Sequence, residues 1–163
     1  DTFDGKIARA MKNRTKEMEI FGIQIDSLCD MVCFGVTPVI ISYQMGLNSV
    51  WGIAIEILFV LCGVIRLAYF NVLEELKHTN PETDQAKGYR GLPITTITII
   101  YPIVYLFHPL VSHETFLLFL AIMHIVVAFL YVLDFKLKKP GNSVIAAMMV
   151  LVTAVMVCIL FVE

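Results

Sequence analysis

Four aspartates stand out in "DTFDGKIARAMKNRTKEMEIFGIQIDSLCD", the first thirty residues of the chain. Asp1 and Asp4 are three apart and Asp26 and Asp30 four apart, so on helices each pair projects from one face. Gly22, Asp26 and Asp30 fall on a single helical stripe. If the two helices are neighbours, four carboxylates converge, and without a counter-charge they repel one another. Divalent cations resolve that conflict. A ligand set of carboxylates alone suits hard ions such as Mg2+ or Mn2+, and four carboxylates suit two ions better than one. Paired ions about 3.5–4 Å apart stabilise displacement at phosphorus by holding the attacking and leaving oxygens together. The residues therefore point to phosphoryl or phosphatidyl transfer. A purely structural role, as solvated helix ends or partners of Arg9 and the nearby lysines, explains one such aspartate better than four at helical spacing. An EF-hand is excluded as well, because "DTFDGKIARAMK" lacks the alternating oxygen ligands and closing Glu of that loop.

The elements that must position these residues are apolar. Of 163 residues 58% are hydrophobic and 16% charged, with a mean hydropathy of +0.81, against roughly 45–50% and 25% in soluble domains. Stretches at about 20–44, 50–73, 93–111, 115–133 and 143–162 approach or exceed the roughly 20 residues that cross a bilayer core. Residues 1–14 read as the tail of another helix. The expected fold is all-α, a polytopic transmembrane helix bundle of about five complete spans plus a partial N-terminal helix. It forms a single domain over residues 1–163. The chain starts without Met on a charged residue, so the expectation is that it is N-terminally truncated. Pro38 and Pro102 fall inside spans, where neighbouring helices can satisfy the freed carbonyls of a kink.

Charge orients the bundle. All twelve Lys and Arg except Arg66 sit in alternate connections, at residues 6–16, 74–92 and 134–142. The intervening "QMGLNS" and "HPLVSHE" contain none. Basic loops stay cytoplasmic, so the aspartates are expected at the cytoplasmic face of an integral membrane protein, in the cell membrane. A net charge of −2 gives no reason to expect nucleic acid as a partner. Cys29, Cys33, Cys62 and Cys158 lie in apolar stretches, where free cysteine packs as a small hydrophobe.

Asp1, Asp4, Gly5, Ala8, Arg9, Gly22, Asp26 and Asp30 resemble the signature of the CDP-alcohol phosphatidyltransferase family, D-x-x-D-G-x-x-A-R followed after a gap by G-x-x-x-D-x-x-x-D. Every signature position matches. Twelve residues separate Arg9 from Gly22, longer than the family's usual gap by about one helical turn. "DSLCDMVCFGVTP" at 26–38, "IRLAYFNV" at 65–72 and "YRGLPITT" at 89–96 look like segments of the membrane-spanning phosphatidylserine synthases.

The resemblance implies a reaction in which CDP-diacylglycerol and L-serine give phosphatidylserine and CMP. It implies that Asp1, Asp4, Asp26 and Asp30 hold two divalent ions, Mg2+ or Mn2+, and that Asp30 is also the general base. Asp4, Gly5, Ala8, Arg9 and Gly22 would bind the CDP moiety, the small residues admitting the cytidine and Arg9 pairing with the diphosphate. A homodimer in membrane lipid is the implied assembly. Physical chemistry agrees with these roles, since an Arg fork matches phosphate oxygens and a serine hydroxyl needs a base to attack.

Arg66, inside a span, and Tyr89 and Arg90, before "GLP", are candidates to contact the acceptor or the lipid phosphate. The alternatives for Arg66 and Arg90 are a snorkelling or paired arginine and a membrane anchor. Glu56 reads as a structural partner within the bundle. A sister enzyme using glycerol 3-phosphate or inositol phosphate would favour extra basic residues around the pocket. A divalent-cation transporter would need a polar route through the later spans, which offer little.

Overall fold

The computed structural model describes residues 15–79 and 89–137, with residues 150, 153, 154 and 157. Three helices are long and apolar enough to cross a membrane: Lys16–Gln44, Val50–Leu73 and His113–Val132. The first is a composite of α1 (Lys16–Asp30), a π-helical segment (Met31–Val36) and α2 (Thr37–Gln44). α3 (Val50–Thr79) follows, then a 3-10 turn (Ile94–Thr96) leading into α4 (Ile97–Tyr105), and α5 (His113–Val132). β1 (Tyr89–Arg90) and β2 (Lys136–Leu137) form a short antiparallel ladder, pairing Tyr89 with Leu137 and Arg90 with Lys136.

Two expectations need qualification. The stretch 93–111 forms a shorter apolar helix, Ile94–Leu110, in which only Ile97–Tyr105 is α-helical. Proline explains this: Pro93 precedes the first turn, Pro102 lies inside α4, and Pro109 falls in a closing 3-10 turn, and each lacks an N–H to donate. The stretch 143–162 lies almost wholly outside the described residues.

The caps follow local rules. Thr15 accepts from Met18 N at 3.3 Å to start α1, and Ser49 accepts from Gly52 N at 3.1 Å to start α3. Ser112 caps α5 by accepting from Thr115 N at 3.4 Å. In each case a side-chain oxygen satisfies an amide with no intrahelical acceptor.

α3 packs most extensively against α5. The inward face of α5 carries Phe116, Leu120, Met123, His124, Val127, Ala128 and Tyr131, spaced three and four apart as one helical stripe requires. Phe59 of α3 and Ile97 of α4 complete this interior. The outward faces are apolar too, with Leu118, Ile122 and Phe129 of α5 and Ile57, Leu61 and Val64 of α3 exposed. Water would penalise such surfaces, whereas lipid accepts them. Interior packing then rests on van der Waals fit between helices.

That fit is tight where α3 leaves its first turn. A Cβ on Gly52 would lie 2.7 Å from the Leu47 carbonyl oxygen. A backbone atom cannot swing away, so Gly52→Ala is expected to cost about 1–3 kcal/mol. Gly35→Ala meets only the flexible end of Met31 and should cost less. Thermal unfolding midpoints of the two variants in detergent test the ranking; equal midpoints would contradict it.

Candidate active site

Gly22, Asp26 and Asp30 occupy successive turns of α1, so the predicted stripe is realised on one continuous helix. Asp26 is exposed, and Gly22 and Asp30 are partly buried. Six residues of the long gap, 16–21, form the first turns of α1. They lengthen the helix on the side away from the aspartates.

The stripe is anchored beside Asp26. Asn71 of α3 donates from Nδ2 to Ser27 Oγ at 2.9 Å, and the Ser27 hydroxyl donates to Ile23 O at 3.1 Å. This polar tie sets the rotation of α1 against α3. No periodicity signals it, because the partners lie 44 residues apart.

Immediately after Asp30 the helix widens. Thr37 donates its backbone N–H to the Val32 carbonyl, five residues back, and its hydroxyl to the same oxygen at 2.9 Å. Pro38, at the start of α2, has no N–H to offer the helix before it. The expected Pro38 kink therefore takes the form of a π-helical segment, a feature often found at functional sites. Met31, its first residue, reaches α3: a Cβ on Gly63 would lie 3.3 Å from Met31 Cε and 3.5 Å from Ile94 Cδ1. The segment after Asp30 and the loop after Arg90 thus meet across Gly63.

That loop is held at several points. Gly91, with φ +72°, has a backbone that only glycine adopts without strain, and donates its N–H to Phe135 O at 2.7 Å. Arg66 donates from Nε to Leu92 O at 2.7 Å and from Nη2 to Gly91 O at 3.4 Å. Tyr131 donates its hydroxyl to Ile94 O at 2.9 Å. Arg66 is 4% exposed. Part of its guanidinium is thereby committed to the loop's backbone, a role its sequence position did not disclose. Tyr89 and Arg90 enter this loop as β1.

Asp1, Asp4, Gly5, Ala8 and Arg9 lie outside the described residues. Among the described residues no group of three or more His, Cys, Asp and Glu could hold a metal ion, as follows when half of the expected ligand set lies outside them. The half that is described fits a hard divalent cation. Asp26 and Asp30 offer only oxygen, on adjacent turns, and among the described residues no lysine or arginine forms an ion pair with either.

Comparison with known proteins bears on this geometry. A CDP-diacylglycerol–serine O-phosphatidyltransferase of Saccharomyces cerevisiae is 38% identical over 106 residues, covering 64% of this chain and 37% of the relative. One of Methanocaldococcus jannaschii is 31% identical over 144 residues, covering 88% of this chain and 61% of the relative. An archaetidylserine synthase of Methanothermobacter thermautotrophicus is 36% identical over 107 residues, 65% of this chain and 41% of the relative. The chain thus spans between about a third and three fifths of the length of these relatives. No solved structure matches it. The sequence profile of CDP-alcohol phosphatidyltransferases matches residues 1–160, and with nearly its whole length matched the chain belongs to the CDP-alcohol phosphatidyltransferase family.

Proposed function

We propose that this chain transfers a phosphatidyl group from CDP-diacylglycerol to the hydroxyl of L-serine, giving phosphatidylserine and CMP. The observation that carries the reading is the complete aspartate signature within a family match over residues 1–160, together with relatives named for serine as acceptor. The chain acts as one membrane domain of about five spans and a partial N-terminal helix. Its active site faces the cytoplasm at the cell membrane, and it works as a homodimer.

In this reading Asp1, Asp4, Asp26 and Asp30 hold two divalent ions, Mg2+ or Mn2+. When bound, such ions neutralise the diphosphate and stabilise charge on the attacking and leaving oxygens. Arg9 pairs with the diphosphate through its planar fork. Gly5, Ala8 and Gly22 leave room for the cytidine, and Asp4 contributes to the CDP site. Asp30 accepts the proton of the serine hydroxyl as its oxygen bonds to the lipid-bearing phosphorus. The bond from that phosphorus to the bridging oxygen breaks, and CMP leaves with the electron pair. The loop held by Arg66 brings Tyr89 and Arg90 toward the acceptor.

Purified full chain given CDP-diacylglycerol, L-serine and Mn2+ or Mg2+ should release CMP. Excess chelator should lower the rate by at least ~100-fold, and returning the metal should restore it. Competing glycerol 3-phosphate and inositol phosphate against serine tests the acceptor, and a preference for either would replace serine. An ether-lipid CDP donor belongs in the same assay because of the archaetidylserine synthase relative. No CMP with any acceptor would overturn the enzyme reading, and metal uptake into vesicles without CMP would favour a transporter.

A further inference from the structure

Met31 follows Asp30 directly and opens the π-helical segment. Long side chains on a helix ordinarily lie back over the preceding turn, but Met31 lies forward across Gly35. A Cβ on Gly35 would overlap Met31 Cε and sit 2.9 Å from its Sδ. The same thioether crosses to α3, where a Cβ on Gly63 would lie 3.3 Å from Met31 Cε and 3.4 Å from Sδ. Both glycines are buried. The end of Met31 is therefore held between two glycines on packed helices, and Ile94 Cδ1, 3.5 Å from the same Cβ position on Gly63, borders it.

Asp30 has no comparable hold of its own. Among the described residues no hydrogen bond or ion pair fixes its carboxyl group, so its place follows from the backbone on either side. Before Asp30 that backbone is tied through Ser27 to Asn71 of α3. After it, Met31 seats the π-helical segment against α3 and against the 3-10 turn that begins at Ile94. Ile94 is itself fixed: its carbonyl accepts from Tyr131, and Arg66 holds the carbonyls of Gly91 and Leu92 just before it. Met31 thus presses on a rigid wall, and that wall continues into the loop carrying Tyr89 and Arg90.

We propose that Met31 is a positioning residue, whose thioether, locked between Gly35 and Gly63 against Ile94, sets the Asp30 carboxyl relative to the loop carrying Tyr89 and Arg90. This role rests on the reading of Asp30 as the base for the acceptor hydroxyl. Proton transfer needs an approach of about 2.6–3.2 Å between heavy atoms, and a misplacement of about 1 Å can cost ~100-fold in rate. Chain length matters as much as volume here. Leucine fills a similar volume but is branched and one atom shorter, so it cannot lie across Gly35 and still reach Gly63.

The test measures CMP release by the full chain in detergent with CDP-diacylglycerol, L-serine and Mn2+, alongside thermal midpoints. Met31→Ala should lower kcat about 10–100-fold, with KM for CDP-diacylglycerol changed less than about threefold. Met31→Leu, a volume-conserving exchange, should keep the midpoint and still lose at least about fivefold in kcat. Gly35→Ala should lose kcat like Met31→Ala, because its methyl group displaces the thioether. The double variant should be no slower than Met31→Ala, since nothing is left to displace. Normal kcat in Met31→Leu, a defect confined to KM for CDP-diacylglycerol, or losses that multiply in the double variant would make Met31 ordinary filling and overturn the role. A second readout needs no turnover. In a chain carrying 13C-carboxyl aspartate, the Asp30 resonance, identified with Asp30→Asn, should shift in Met31→Leu while that of Asp26 stays. An unmoved Asp30 resonance would overturn the role. A chain that releases no CMP with any acceptor would instead sink the proposed reaction, and the spectrum would still decide whether Met31 positions Asp30.

Discussion

Replacing Asp30 with Asn is expected to lower CMP release by about 10²–10⁴-fold, the range attributable to a general base, while CDP-lipid binding stays within a few-fold. The amide keeps the shape of the carboxyl group but cannot take the proton of the attacking hydroxyl. Asp30 ends α1 immediately before the π-helical segment and is partly buried, whereas Asp26, one turn earlier, is exposed. Asp26→Asn should therefore behave as a ligand defect, with activity recovering substantially at high Mn2+. Single-turnover CMP release and titration calorimetry with CDP-lipid separate the two. Normal turnover in the Asp30 variant would remove the base assignment, and full rescue of it by metal would reduce Asp30 to a ligand.

The second large effect concerns Arg66. Arg66→Lys should destabilise the chain by about 2–4 kcal/mol, because hydrogen bonds from a charged donor are worth about 1.5–3 kcal/mol each. A lysine ammonium cannot reproduce the guanidinium fork that reaches Leu92 O from Nε and Gly91 O from Nη2. If the loop positions Tyr89 and Arg90 toward the acceptor, the KM for serine should rise while that for CDP-lipid changes little. Gly91→Ala should copy this phenotype without touching the charge. Its φ of +72° strains any side chain, and the new Cβ would lie 3.1 Å from both Arg66 Nη1 and the Leu133 carbonyl oxygen. A serine KM that rises in the Arg66 variant alone would show direct acceptor contact, and an unchanged KM in both variants would remove the loop from the acceptor site.

The legible part of the site is the part made by local geometry. Asp26 and Asp30 share a face because a helix brings i and i+4 together, so their alignment needed nothing beyond α1. The illegible part depends on distant partners. Ser27 and Asn71, or Arg66 and the carbonyls of Gly91 and Leu92, meet only after α1, α3 and the loop have packed. Arg66 was conspicuous as a cation within a span, but a backbone carbonyl carries no mark in the sequence. Pro38 announced a disturbance, and the form it took depended on Thr37 and on how the preceding turn widened.

By itself, the sequence determined the membrane class, three of the spanning segments, the aspartate stripe and the family signature. Apolar composition, helical period and residue type are properties of a chain before it folds. Tertiary structure alone decided what Arg66 holds, how α1 is rotated against α3, and that Glu56 Oε1 is buried without a hydrogen-bond partner among the described residues. The physical reason is that hydrogen-bond satisfaction and void space belong to pairs of packed surfaces. Two helices of known sequence can still meet at many rotations, and only the packed one settles which donors find acceptors.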